Sequence, residues 1–248
     1  LTGRPRQEIK IRAYGFADDA TTTQFPQFKS HNIIPHDRIP TENVSRYFAT
    51  DPGGQKNWFM LWVAVDEHGR KYIYREWPDI EVGEWAVPGP GDGKKGLAQT
   101  QDVVLGIADI VEMIKELEGE EAIEERYIDP RMGATQAAGK LGGTSYIDLL
   151  ADEGMDVLPS AGLRIDQGVG MINDWLAYDE DRPISIDNEP SLYVSEKCEN
   201  LIYCMRTWAN REKDGATKDP IDTLRYMAVM NPTYLDPKGN RSYGGGGY

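Results

Sequence analysis

The sequence predicts an α/β domain built on a mixed β-sheet with helices on both faces, and three observations point there. Two apolar stretches, 57–66 (NWFMLWVAVD) and 70–77 (RKYIYREW), flank Glu67, His68 and Gly69, the pattern of an antiparallel hairpin. A third strand, 46–51, precedes them across a Pro52-Gly53-Gly54 turn, so the domain opens on a three-strand meander. Beyond the meander, helical and extended patterns alternate, as in sheets whose later strands run parallel beneath covering helices.

Taken in order, residues 1–45 carry few periodic signals and hold Pro5, Pro26, Pro35 and Pro40. They read as an extended linker or arm, with a short strand over 9–14. After the meander, 78–96 includes PGPGDGKKG and reads as a surface loop. Its GDGKK run fails as a phosphate loop, because Pro88 stands where the first Gly belongs and Lys95 where Ser or Thr belongs. Val103, Val104, Ile107, Ile110, Val111, Ile114 and Leu117 then recur at helical spacing. Residues 124–129 (EERYID) read as a short buried strand stopped by Pro130, 144–150 as a helix and 155–159 as a further strand. Ile165, Val169, Ile172, Trp175 and Leu176 mark an amphipathic helix despite Gly168 and Gly170. Val194, Cys198, Leu201, Ile202, Met205 and Trp208 mark another, and a last helix runs over about 219–230. Three strands, helix, strand, helix, strand and then helices is the ribonuclease H-like order. The expected division is an arm over 1–45, a domain over 46–232 and a glycine-rich tail over 233–248, whose Gly244–Gly247 end reads as disordered.

Composition narrows the function. Asp and Glu total 41 against 27 Lys and Arg, a formal charge of −14, which disfavours gripping nucleic acid by bulk electrostatics. A hydrophobic content of 40% and six Trp residues supply a packed core. Trp58, Trp62, Trp175 and Trp208 are expected inside it rather than stacked on bases. No apolar run approaches the ~18 residues of a membrane span. Cys198 and Cys204 make no disulfide scaffold and read as core thiols, fitting a reduced compartment, and three His are too few for most zinc chemistry. The acidic run 116–125 reads as a solvated helix end and loop. Residue 1 is Leu, and 1–10 lack the apolar stretch of a signal peptide, so a piece of a longer polypeptide is expected.

Acidic residues at element ends carry the chemistry. Asp51 closes the first strand, Asp129 closes the fourth, and Asp219 and Asp222 open the last helix. In a ribonuclease H-like sheet the first and fourth strands are neighbours, which sets Asp51 beside Asp129, and the final helix brings its acids to the same spot. Clustered carboxylates repel unless divalent cations neutralise them. Two such ions stabilise the attacking and leaving oxygens of phosphodiester cleavage, and oxygen-only ligands favour Mg²⁺ or Mn²⁺ over zinc. Each acid also has a plain structural reading: Asx turns at Asp51 and Asp129, and an N-cap followed by Pro at N1 for Asp219. Only their joint placement at the element ends argues for catalysis.

Three segments carry a resemblance: 46–77 (RYFATDPGGQKNWFMLWVAVDEHGRKYIYREW), 125–133 (ERYIDPRMG) and 218–228 (KDPIDTLRYMA). Over most of 46–230 the sequence resembles the C-terminal nuclease domain of the large terminase subunit of tailed bacteriophages. Residues 13–28 (AYGFADDATTTQFPQF) resemble the segment joining motor ATPase to nuclease. The resemblance implies a metal-dependent endonuclease that cuts concatemeric double-stranded DNA during genome packaging. It implies catalysis by Asp51, Asp129 and Asp222 holding two Mg²⁺ or Mn²⁺ ions, with Asp219 as an auxiliary ligand. It implies as partners a covalently linked ATPase motor, the portal and the small terminase subunit, in the cytoplasm of an infected bacterial host. Lys56, Arg131, Lys140 and Arg164, with Lys94 and Lys95, are candidate DNA contacts; Arg131, two residues beyond Asp129, is favoured. Two other readings stay open: another ribonuclease H-like enzyme, such as a junction resolvase or transposase core, and a non-catalytic docking domain of the packaging machine.

Overall fold

The computed structural model describes residues 23–52, 58–79, 99–100, 103–104, 106–134, 145–209 and 218–236. In chain order these form β1 (Ile33–Ile34), β2 (Val44–Asp51), β3 (Phe59–Asp66) and β4 (Lys71–Trp77). A small pair, β5 (Gln99–Thr100) and β6 (Val103–Val104), precedes α1 (Ile107–Glu118) and β7 (Ile123–Ile128). Then come α2 (Pro130–Ala134), α3 (Tyr146–Asp152), β8 (Leu158–Pro159), α4 (Ile165–Leu176), β9 (Leu192–Ser195), α5 (Glu199–Thr207) and α6 (Lys218–Met230).

Seven strands share one mixed sheet in the order β1-β9-β4-β3-β2-β7-β8. β2, β3 and β4 form the antiparallel meander, from Val44 opposite Asp66 to Asp51 opposite Phe59 in its first ladder. β7 runs parallel to β2, and β8 parallel to β7. This is the expected ribonuclease H-like arrangement. Its hairpin turn is shaped by Asp66, whose Oδ1 accepts the N–H groups of His68 and Arg70, both at 2.9 Å. Gly69 supplies the left-handed residue there, with φ of 77°.

All eight residues of β3 are buried, and their alternation divides the core in two. Phe59, Leu61, Val63 and Val65 pack with α4, α5 and α6 on one face. Met60, Trp62 and Ala64 pack with α1 and α3 on the other. Helices therefore cover both faces, and Trp58, Trp62, Trp175 and Trp208 are all buried, as are both cysteines.

Several expectations change. Val194 belongs to a strand: β9 pairs parallel with β4 and with β1, and α5 begins only at Glu199. One apolar rhythm ran across a four-residue strand and the helix after it. Val103 and Val104 pair with Gln99 and Thr100, and α1 starts after Gly106, whose N–H donates to Asp109 Oδ2 at 2.8 Å. The strand expected over 155–159 shortens to its last two residues.

Residues 23–45, read as arm, contribute to the core. Phe25 and Phe28 are buried, Phe25 stacks on Trp208 at 5.9 Å, and Asn32 Nδ2 donates to the Leu192 carbonyl at 3.0 Å. At the other end, Leu235 N–H donates to Ser45 Oγ at 2.8 Å, tying 233–236 to β2. The acidic run is only partly solvated. Glu118 is buried, accepting from Trp62 Nε1 at 3.0 Å and pairing with Arg126, while Glu121 accepts from Tyr74 and Arg75. The strand over 9–14, residues 80–96 of the loop expected over 78–96, with Lys94 and Lys95, and the Gly244–Gly247 run lie outside the described residues. Among the described residues no helix is long and apolar enough to cross a membrane.

Candidate active site

Strand register sets the first two acids. Ala49 and Tyr127 are ladder partners facing the cluster that holds α6. Asp51, the last residue of β2, and Asp129, the residue that follows β7, lie two positions further along, so they share that face. The ladder continues to the site, because Asp129 N–H donates to the Thr50 carbonyl at 3.2 Å.

Helix α6 crosses the same face and is buried continuously from Asp219 to Ala228. Thr223 Oγ1 lies 2.9 Å from the Asp219 carbonyl and 3.5 Å from that of Phe59, the residue opposite Asp51. The helix start is thereby pinned where β2 ends. Asp222 is 3% exposed and is closed by two cations at helical spacing. Lys218 Nζ sits 3.1 Å from its Oδ2, and Arg225 Nη2 donates to its Oδ1 at 2.8 Å. Arg225 lies over the Tyr226 ring at 5.3 Å, and its aliphatic stem passes against α4. A Cβ on Gly168 would stand 2.1 Å from Arg225 Cγ, which explains a glycine inside that helix.

Electrostatics tie the acids to one locality. The Tyr226 phenol is held far above its ordinary range by burial first, then by the charges of Asp51, Asp222 and Asp129. The Lys218 ammonium is kept charged by Asp222 above all, with Asp51 and Asp219 adding to it. Asp129 also performs its plain role: its Oδ1 accepts the Arg131 N–H at 2.7 Å, turning the chain into α2. Asp219 stands within the first turn of α6, which begins at Lys218.

Among the described residues no three His, Cys, Asp or Glu side chains are gathered tightly enough to hold a metal ion as they stand. Asp129 is turned to a backbone N–H and Asp222 to its two cations. The donor set nonetheless suits a hard divalent cation, since its side chains are carboxylates and the charge balancing Asp222 is already cationic. Of the expected DNA contacts, Arg131 is exposed. Arg164 is exposed at the N-terminus of α4, paired with Asp166 at 2.7 Å. Lys56 and Lys140 lie outside the described residues. Sequence reasoning passed over Lys218, Arg225 and Tyr226, although KDPIDTLRY carries the signal: a cation four residues before Asp222 and another three after.

No protein-family model matches this chain, and no curated protein does. Its fold is similar to solved large terminases. The nuclease domain of the P22 large terminase aligns with a TM-score of 0.56 at 15% identity, covering 89% of this chain and 97% of that one. The large terminase of a thermophilic bacteriophage aligns with a TM-score of 0.57 at 12% identity over 84% of this chain. This chain spans 45% of that longer protein's length. The same thermophilic phage terminase in complex with ATP-gamma-S aligns with a TM-score of 0.57 at 11% identity, over 92% of this chain and 53% of that one. The domain therefore has a terminase nuclease fold of the ribonuclease H-like type.

Proposed function

We propose that this chain is the nuclease portion of a phage DNA-packaging terminase, an endonuclease that cuts concatemeric double-stranded DNA and depends on Mg²⁺ or Mn²⁺. The observation that carries this reading is the convergence of Asp51, Asp129 and Asp222 on one face, at the ends of β2 and β7 and the start of α6. In this reading Asp51, Asp129 and Asp222 hold two ions, with Asp219 as an auxiliary ligand. Bound there, the ions supply Lewis acidity for phosphodiester hydrolysis. The chain's own part is to aim the carboxylates: β2 and β7 fix Asp51 and Asp129 by register, and Arg225 fixes Asp222. Arg131, exposed beside Asp129, is assigned to a DNA phosphate. The likeness to a longer phage terminase solved with ATP-gamma-S supports a covalently linked ATPase motor. The reading further takes the portal and the small terminase subunit as partners, in the cytoplasm of the infected host.

The test is plasmid cleavage in Mn²⁺ by Asp51→Asn, Asp129→Asn and Asp222→Asn, where Asn keeps an acceptor for the Arg131 N–H at position 129. Each variant is expected to lose cleavage. Melting temperature should hold or rise for the first two, as like-charge repulsion is relieved. It should fall for Asp222→Asn, which leaves the buried Arg225 uncompensated. Undiminished cleavage by Asp129→Asn sinks the assignment.

A further inference from the structure

The Lys218 side chain enters the acidic cluster from the first turn of α6. Its ammonium touches Asp222 Oδ2 at 3.1 Å and faces the charges of Asp51 and Asp219 as well. It is therefore located where a cation is stabilised by several carboxylates at once. Lys218 differs from Arg225, the other partner of Asp222, in burial and anchoring. The Arg225 side chain is 9% exposed, lies over Tyr226 and is wedged against Gly168. The Lys218 side chain is 50% exposed on a flexible four-carbon stem, so it can leave without opening the core. The carboxylate it would release is almost wholly buried. That asymmetry gives the two cations different tasks: Arg225 positions Asp222, and Lys218 occupies its second oxygen.

We propose that Lys218 is a built-in counter-ion that competes with the divalent cation for Asp222, so that this carboxylate is closed without metal and opens only by exchange. This rests on the nuclease reading above. It accounts for a cluster whose acids converge while, among the described residues, no three of them are gathered around a common point. Removal of the competitor should make the site bind metal more tightly, the opposite of what a supporting residue would do. A gap at Asp222 Oδ2 would also leave Asp222, Asp51 and Asp219 less well balanced in metal-free protein.

The experiment is calorimetric titration of Mn²⁺ alone into the full chain and into its Lys218→Gln and Lys218→Arg variants. Lys218→Gln should bind about tenfold more tightly than the parent, and Lys218→Arg close to it, because a unit charge in contact is being removed or kept. The gain should persist in about 0.5 M KCl, where charges acting from a distance are screened. Mn²⁺ should also raise the melting temperature of Lys218→Gln more than that of the parent. Equal or weaker binding by Lys218→Gln, with the parent binding normally, overturns the proposal and leaves the nuclease reading standing. So does a gain that vanishes in high salt. Binding by neither parent nor variants overturns both.

Discussion

Glu76 is a buried acid that does not join the site. It projects from β4 into the core, is 5% exposed, and accepts the N–H groups of Asn200 and Leu201 at 2.8 and 2.9 Å, where α5 begins. It thus caps a helix from a neighbouring strand, setting its carboxyl against the positive end of the helix. Burial wins over those two N–H groups and pushes the Glu76 carboxyl up to about 8. The sign follows directly. Between the ordinary range near 4.5 and about 8, the folded protein holds a proton that the unfolded chain has lost. The stability this group contributes is therefore complete below the lower value and is lost as pH rises through the upper one. Melting curves from about pH 5 to 8 should show the parent losing more than Glu76→Gln, which cannot ionise. Parallel curves would mean that Glu76 is already ionised at the lower pH.

At the scale of an element, α4 and α6 hold the site through one close approach. Gly168 and Gly170 both weaken the helical pattern of α4, but only Gly168 meets a neighbour: Arg225 Cγ would stand 2.1 Å from its Cβ, whereas nothing lies within 4 Å of one on Gly170. Gly168→Ala should cost about 1–3 kcal/mol through overpacking and, by displacing Arg225 from Asp222, should lower cleavage as well. Gly170→Ala should instead stabilise by about 0.5–1 kcal/mol, the ordinary gain of Ala over Gly inside a helix, with cleavage unchanged. Urea unfolding and plasmid nicking on the pair decide this, and equal effects at both positions would show that the α4–α6 contact is looser than it looks. Helix α6 itself is buried on all sides yet carries Asp219, Asp222 and Arg225. Buried charge of that kind is stable only when paired, so the pairing and the candidate site are one feature.

At the scale of the molecule, a charge of −14 opposes DNA approach. Duplex binding by this chain in Ca²⁺ should be weaker than about 1 μM at physiological salt, with a shallow salt slope because few phosphates are neutralised. Tethering to a motor that already holds DNA would supply the missing affinity as local concentration. Nanomolar binding, measured by fluorescence anisotropy, would favour a free-standing, resolvase-like enzyme.

The sequence by itself determined the meander, because the apolar runs 57–66 and 70–77 and the Asp66–Gly69 turn between them are local facts. It also determined α4, whose apolar residues recur at helical spacing, and α6, signalled by Asp219-Pro220 at its start, and it marked Asp51, Asp129 and Asp222 at element ends. The outer strands needed the tertiary structure. A two-residue β1 and a four-residue β9 are too short to carry a periodic signal, and they exist because β4 offers an unpaired edge. Burial of Glu118 and of Phe25 likewise depends on partners far along the chain, Trp62 and Trp208. The state of Asp222 was settled the same way. Its spacing to Lys218 and Arg225 is written in the sequence, but only packing against Gly168 makes one of those cations a fixture while the other remains half-exposed.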